Sequence, residues 1–200
     1  MPNAPVSLAI LAVLAVLALL GLRPVPGLAQ KLLFRPYEVA RGRRRWSVAT
    51  SVFVHADLGH LISNALTLWF FGPELEAVLG SLRFSLLYAV GAGFSQLWSY
   101  LKHRDDPAYA TLGASGAIAA VLFAYIVYKP TDGMLMLPLP VSIPAPLFGL
   151  LYLAMEWWSA RQARGRINHE AHFGGALTGL AFVLFTDPRA YLRAAALLGL

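Results

Sequence analysis

Six stretches of apolar residues are spaced along the chain, at about residues 7–22, 57–79, 82–101, 112–128, 145–158 and 171–185. Each approaches the ~20 residues that an α-helix needs to cross a hydrocarbon core about 30 Å thick. None alternates polar and apolar positions as a barrel strand would. Lipid offers no partner to unpaired backbone groups, so the pattern predicts six helices. Asp57 stands where the second helix needs an N-cap, and Pro73 predicts a kink toward its far end. Two connections are long. Residues 23–50 mix Leu32, Leu33, Phe34, Tyr37 and Trp46 with basic side chains, a composition that suits a segment lying on a membrane surface. Residues 129–146 hold five prolines and read as a stiff, irregular link.

Composition sharpens the class. Mean hydropathy is +0.61, with 58% hydrophobic and 13% charged residues. A soluble domain of 200 residues has no use for that much apolar surface, so the expectation is an all-α integral membrane protein, one compact helical unit over residues 1–200. Cysteine is absent, which excludes disulfides, thiol catalysis and cysteine-ligated zinc. The net charge of +6 is concentrated between residues 23 and 45 and again between 161 and 166. Basic clusters beside apolar spans suit anionic lipid headgroups, and no basic-aromatic motif points to nucleic acid.

Against this apolar background a few polar residues stand out. Segments two, four and six cross in the same direction, so their first turns share one side of the membrane. Ser115 falls about three residues into segment four, and His172 near the start of segment six. His60 and Asn64, four apart, share one face of segment two. These four side chains therefore lie within about one to two helical turns of a common depth. Polar groups in hydrocarbon are costly and mark function, and a serine within reach of a histidine is a nucleophile with its base. Small residues permit that reach. Gly116, Ala120 and Ala124 make a stripe on segment four, and Gly175 and Gly179 make one on segment six.

Four strings carry a resemblance: His55-Ala-Asp-Leu-Gly-His60-Leu-Ile-Ser-Asn64, Gly72-xxx-Glu76-xxx-Gly80, Gly113-Ala-Ser115-Gly116 and Ala171-His172-Phe-Gly-Gly175. Together and in this order they resemble the rhomboid intramembrane serine proteases, over about Trp46 to Asp187. The resemblance implies a six-transmembrane-helix bundle of the bacterial type with a membrane-associated first loop. It makes Ser115 the nucleophile and His172 the general base of a dyad. His60, Asn64 and the Ser115 backbone N–H would form the oxyanion hole, with His55, Gly113, Gly116 and Gly175 in support. Substrates would be membrane proteins with a transmembrane helix, cleaved in or beside the bilayer without cofactor or metal. A bacterial plasma membrane is the expected location. The chain departs from the family pattern at Ser47, where many members carry arginine, and at Ala119, where some place an aromatic ring under the histidine.

Other chemistries fit less well. Glu170 is about 200° around the helix from His172, and Asp187 lies near the opposite face, so neither acid completes a triad. Glu156, beside Trp157 and Trp158, reads as an interfacial anchor, and His103 as a solvated loop residue. His169 and His172 could share a metal ion, but His169-Glu170-Ala171-His172 is one residue short of HExxH. The α/β-hydrolase elbow would need glycine at position 117, which is alanine. The alternative of another class is a catalytically silent scaffold that binds membrane helices. Orientation is divided: most Lys and Arg lie on the side of Ser115, which favours a cytoplasmic mouth. The resemblance implies a mouth open to the outside, and that orientation is the expectation.

Overall fold

A computed structural model describes residues 3–21, 28–136, 141–162 and 168–200. Six helices follow the apolar segments: α1 (Pro5–Gly21), α5 (Leu58–Leu79), α6 (Ser81–His103), α7 (Ser115–Tyr128), α8 (Ala145–Gln162) and α9 (His169–Thr186). Short helices α2 (Leu28–Leu32), α3 (Pro36–Ala40) and α4 (Ser47–Thr50) occupy the basic connection, and α10 (Arg189–Leu197) follows α9. Leu22 and residues 23–27 of the expected first segment and connection lie outside the described residues.

The N-cap read at Asp57 is present. Asp57 caps α5 by accepting the His60 backbone N–H at 2.8 Å. Gly80, at φ 76°, ends α5 and starts α6. Pro73 lies inside α5, which continues through it to Leu79. The proline-rich link corrects the expectation of irregular chain. It contains an antiparallel pair, β1 (Gly133–Met136) and β2 (Val141–Pro144), with Met134 opposite Ile143. Pro144 takes the last position of its strand, where a missing N–H costs the ladder least.

α7 is the axis of the bundle. Every residue from Gly116 to Val127 is buried, with α5, α6, α8 and α9 packed around them. Small residues set the spacing, as the two stripes suggest. A Cβ on Gly175 would lie 2.0 Å from the Gly116 carbonyl oxygen, and one on Gly179 would lie 2.2 Å from that of Ala120. On the α6 side, a Cβ on Gly91 would lie 2.6 Å from the Ala120 Cβ. Backbone thus meets backbone between α7 and α9, a separation no larger residue allows.

Among the described residues, no helix is long and apolar enough to cross a membrane. α7 runs about 21 Å, short of a hydrocarbon core of about 30 Å. α5 and α6 are long enough but carry Glu74, Glu76, Arg83 and Lys102. The bundle nonetheless exposes large apolar side chains, among them Leu82 on α6, Leu150 on α8 and Phe185 on α9.

Glu76 shows why a carboxylate belongs in such a bundle. It is fully buried and accepts the backbone N–H groups of Val6 at 3.0 Å and Ser7 at 2.7 Å, along with the hydroxyls of Ser7 and Ser81. It therefore satisfies the open N-terminus of α1 and meets the positive end of its dipole. Gly72, one turn earlier, leaves room for Ser7, whose Oγ would stand 3.1 Å from an added Cβ. Replacing Glu76 by alanine strands these donors, and should cost on the order of 3 kcal/mol of stability. Thermal unfolding in detergent followed by tryptophan fluorescence checks this; an unchanged midpoint would contradict it.

Candidate active site

The N-terminal ends of α5, α7 and α9 converge on a cavity of about 880 Å³ whose lining includes His60, Asn64, Ser115 and His172. All four residues singled out by depth thus reach one space. Ser115 is the first residue of α7 rather than three residues in, because Gly113 takes a φ of 112° and Thr111 is drawn out of the helix. Thr111 instead exchanges both backbone hydrogen bonds with Phe34 at 2.9 Å, an antiparallel bridge between the basic connection and the approach to Ser115. Gly113 donates its own N–H to the Ser51 carbonyl at 2.9 Å.

Gly113 is required twice over. Its φ is one that side chains resist, and a Cβ there would lie 2.8 Å from His60 Cε1 and 3.6 Å from Ser115 Oγ. The His60 ring therefore sits directly against the backbone that leads into Ser115. His55 stands edge-on behind His60, with ring centroids 5.1 Å apart, and does not line the cavity. Burial, followed by the proximity of His60, lowers its pKa to about 4.

Asn64 is 6% exposed, and its amide Nδ2 has no hydrogen-bond partner among the described residues. A buried donor left open costs free energy, and this one borders the cavity. The hydrogen bond that the His172 ring makes among the described residues is to Glu156 rather than to Ser115 Oγ. Catalytic hydrogen bonds are often open without substrate and tighten when it binds. Gly116 and Gly175 hold the two helix starts together from below.

His172 has a carboxylate neighbour on α8. Its Nδ1 donates to Glu156 Oε1 of α8 at 3.2 Å, while His169 Nδ1 donates to Oε2 of the same carboxylate at 2.7 Å. Glu156 is 3% exposed, so it is no interfacial anchor; Trp157 and Trp158 turn outward and Glu156 inward. His169 and His172 thus share this one glutamate through their Nδ1 atoms. Glu170 does point away from His172, as its helical position requires. It pairs with Lys102 and with His103, whose Nε2 stands at 2.8 Å. His103 ends α6 and stacks on Tyr109 at 3.6 Å, which corrects its reading as a solvated loop residue.

One further residue went unnoticed in the sequence. Asn168 caps α9 by accepting the Ala171 N–H at 3.1 Å. Its Nδ2 donates to Ser99 Oγ on α6 and to Thr111 Oγ1. It thereby ties the start of α9 to the strand-like segment before Ser115. An asparagine directly ahead of an apolar helix was the available signal.

A family model described as Rhomboid domain matches residues 42–189, a stretch that contains α5 to α9 and every candidate site residue. The chain belongs to the rhomboid family. Its relatives include RHOMBOID-like protein 12, mitochondrial, of Arabidopsis thaliana, 29% identical over an alignment of 148 residues that covers 66% of this chain and 44% of that protein. Rhomboid protein 1, mitochondrial, of Saccharomyces cerevisiae is 32% identical over an alignment of 142 residues, with 68% of this chain and 40% of the relative covered. The Bacillus subtilis rhomboid YdcA is 35% identical over 81 residues, 40% of each. The matched stretch thus spans about two fifths of these relatives' length. Rhomboids are integral membrane proteins, and they include both intramembrane serine proteases and inactive members. The mitochondrial names of relatives do not fit the expected bacterial plasma membrane; membrane integration is what the family carries.

The His55 shift gives a pH signature. An exposed histidine titrates near pH 6.5, whereas folded His55 titrates near 4. Its neutral form stabilises the fold fully above pH 6.5, and that contribution is lost as pH falls through 4. His55→Phe should therefore lose melting temperature less steeply than wild type between these values. Parallel slopes in a pH series of thermal melts would contradict the assignment.

Proposed function

We propose that this rhomboid is an intramembrane serine endopeptidase in which Ser115 attacks a peptide carbonyl and His172 is the general base. The observation that carries the reading is the open Nδ2 donor of Asn64, buried at the wall of the cavity that Ser115, His60 and His172 also line. A buried amide held open in that place is matched by an oxygen that becomes negative during reaction.

In the proposed sequence the Ser115 hydroxyl gives its proton to His172 Nε2 while Oγ bonds to the carbonyl carbon. The resulting oxyanion accepts hydrogen bonds from Asn64 Nδ2, from the His60 ring and from the backbone N–H of Ser115, which is free at the first position of α7. His172 then returns the proton to the departing amine, leaving an acyl-enzyme. Water entering through the cavity hydrolyses the ester by the same steps in reverse order of partners. Each oxyanion donor contributes about 2.7–4 kcal/mol in the transition state.

The proposed substrates are membrane proteins with a transmembrane helix, brought to the site within the bilayer that surrounds the apolar outer faces. We read residues 1–200 as one membrane domain with six spans, α1 and α5 to α9, no cofactor, and the mouth open to the outside. The alternative is an inactive, helix-binding scaffold.

Fluorophosphonate labelling of detergent-purified protein separates the two. Wild type should label, Ser115→Ala and His172→Ala should not, and Asn64→Ala should label about 10²–10³ times more slowly. Absence of labelling in a folded wild type would favour the scaffold, and labelling of Ser115→Ala would remove Ser115 from its role.

A further inference from the structure

A glutamate buried between α8 and α9 belongs to none of the four strings that carry the family resemblance. Glu156 lies behind the His172 ring, outside the cavity lining, with its side chain 4% exposed. Its two oxygens are divided between two imidazoles: Oε1 takes Nδ1 of His172 and Oε2 takes Nδ1 of His169. Tyr152, one turn earlier on α8, faces the same carboxylate. Ala119 offers no ring against His172, so the contact that fixes this imidazole comes from α8.

The choice of atom matters. A carboxylate accepting from Nδ1 fixes the tautomer in which Nδ1 carries the proton and Nε2 presents a lone pair. Nε2 is the nitrogen opposite the anchored one, and His172 reaches the cavity shared with Ser115. Packing alone explains the arrangement poorly, since burying a carboxylate is expensive and apolar replacements of buried ion pairs are often neutral or stabilising. The pair is also divided in a useful way. His169 satisfies the second oxygen, so Glu156 is not left half-solvated when His172 turns toward substrate.

Building on the proposed function, we infer that Glu156 is a positioning residue: it holds His172 in the tautomer and orientation that take the Ser115 proton, and it stabilises the imidazolium that results. Glu156 itself stays ionised throughout. The proton moves from Ser115 Oγ to His172 Nε2 and back to the leaving amine, never onto the carboxylate. The link also makes the competence of His172 depend on α8 remaining seated against α9.

The test compares Glu156→Gln, Glu156→Asp, His169→Phe and Ser115→Ala in purified full-length protein, by fluorophosphonate labelling rate, melting temperature and NMR of isotope-labelled histidine. Glutamine has the same shape but no charge, and its amide can turn to donate, admitting the wrong tautomer. Labelling of Glu156→Gln should fall by roughly 10²-fold or more, with the His172 signal showing mixed tautomers. Glu156→Asp should recover part of the rate. His169→Phe leaves the bond to His172 in place and should lose less than Glu156→Gln. If Ser115→Ala abolishes labelling while Glu156→Gln keeps the wild-type rate and tautomer, the positioning role falls and the serine site stands. If Ser115→Ala labels like wild type, the serine site falls, and the tautomer signal, which needs no turnover, still decides whether Glu156 orients His172. A variant that melts early is judged by that signal below its melting temperature; an unshifted tautomer there overturns the proposal.

Discussion

Helices α7 and α9 meet backbone to backbone, where Gly175 and Gly179 lie against the carbonyls of Gly116 and Ala120. Two helices in backbone contact cannot slide independently, because each small residue fits only the gap facing it. That register places the first turn of α9 beside the first turn of α7. Ser115 and His172 therefore share a level, and the rest of the site is built around it. A site assembled on helix starts also gains free N–H groups and the positive ends of two dipoles. The same contact rigidifies the bundle without relying on apolar burial, which is a weak drive when the surroundings are themselves hydrocarbon.

Polar side chains then fix what glycine allows. Asn168 joins α9 to α6 and to Thr111, and Phe34 pairs with Thr111 from the basic connection. Gln96 on α6 donates to Ser51 Oγ at 3.0 Å, and the Ser51 carbonyl accepts from Gly113. A continuous set of hydrogen bonds therefore runs from α6 through the loops to the residue before Ala114. At the far end of α5, Glu76 does similar work for α1. Glu156 and Glu170, on the cavity side, bind α8 and α6 to α9. Each buried carboxylate in the bundle is thus spent on a helix junction, with its cost offset by several donors.

Much of this was legible in the sequence. Apolar length located the long helices to within a few residues, and Asp57 marked a real start. Depth alone grouped His60, Asn64, Ser115 and His172, because polar groups at helix starts are conspicuous in an apolar background. The losses have physical causes. Glu156 stands beside two tryptophans and sixteen residues before His172, so its direction depends on the rotation of α8 against α9, which no local pattern encodes. Residues 112–114 continue an apolar run, yet Gly113 adopts a left-handed φ and the helix waits for Ser115. The antiparallel strand pair was hidden by the prolines of its segment. α10 escaped because its Arg and Ala residues carry no long apolar run, and His103 because charged neighbours disguised a paired histidine.

The central claim is that Ser115 hydrolyses peptide bonds of a membrane-embedded substrate. Its most direct test is reconstitution of the full chain in liposomes with a fluorescent single-span reporter, followed by mass spectrometry of the fragments. Wild type should cleave within or beside the reporter's transmembrane segment, and Ser115→Ala should leave the reporter intact. An intact reporter with folded wild type, across reporters of varied sequence, or the same fragments from Ser115→Ala, would contradict it.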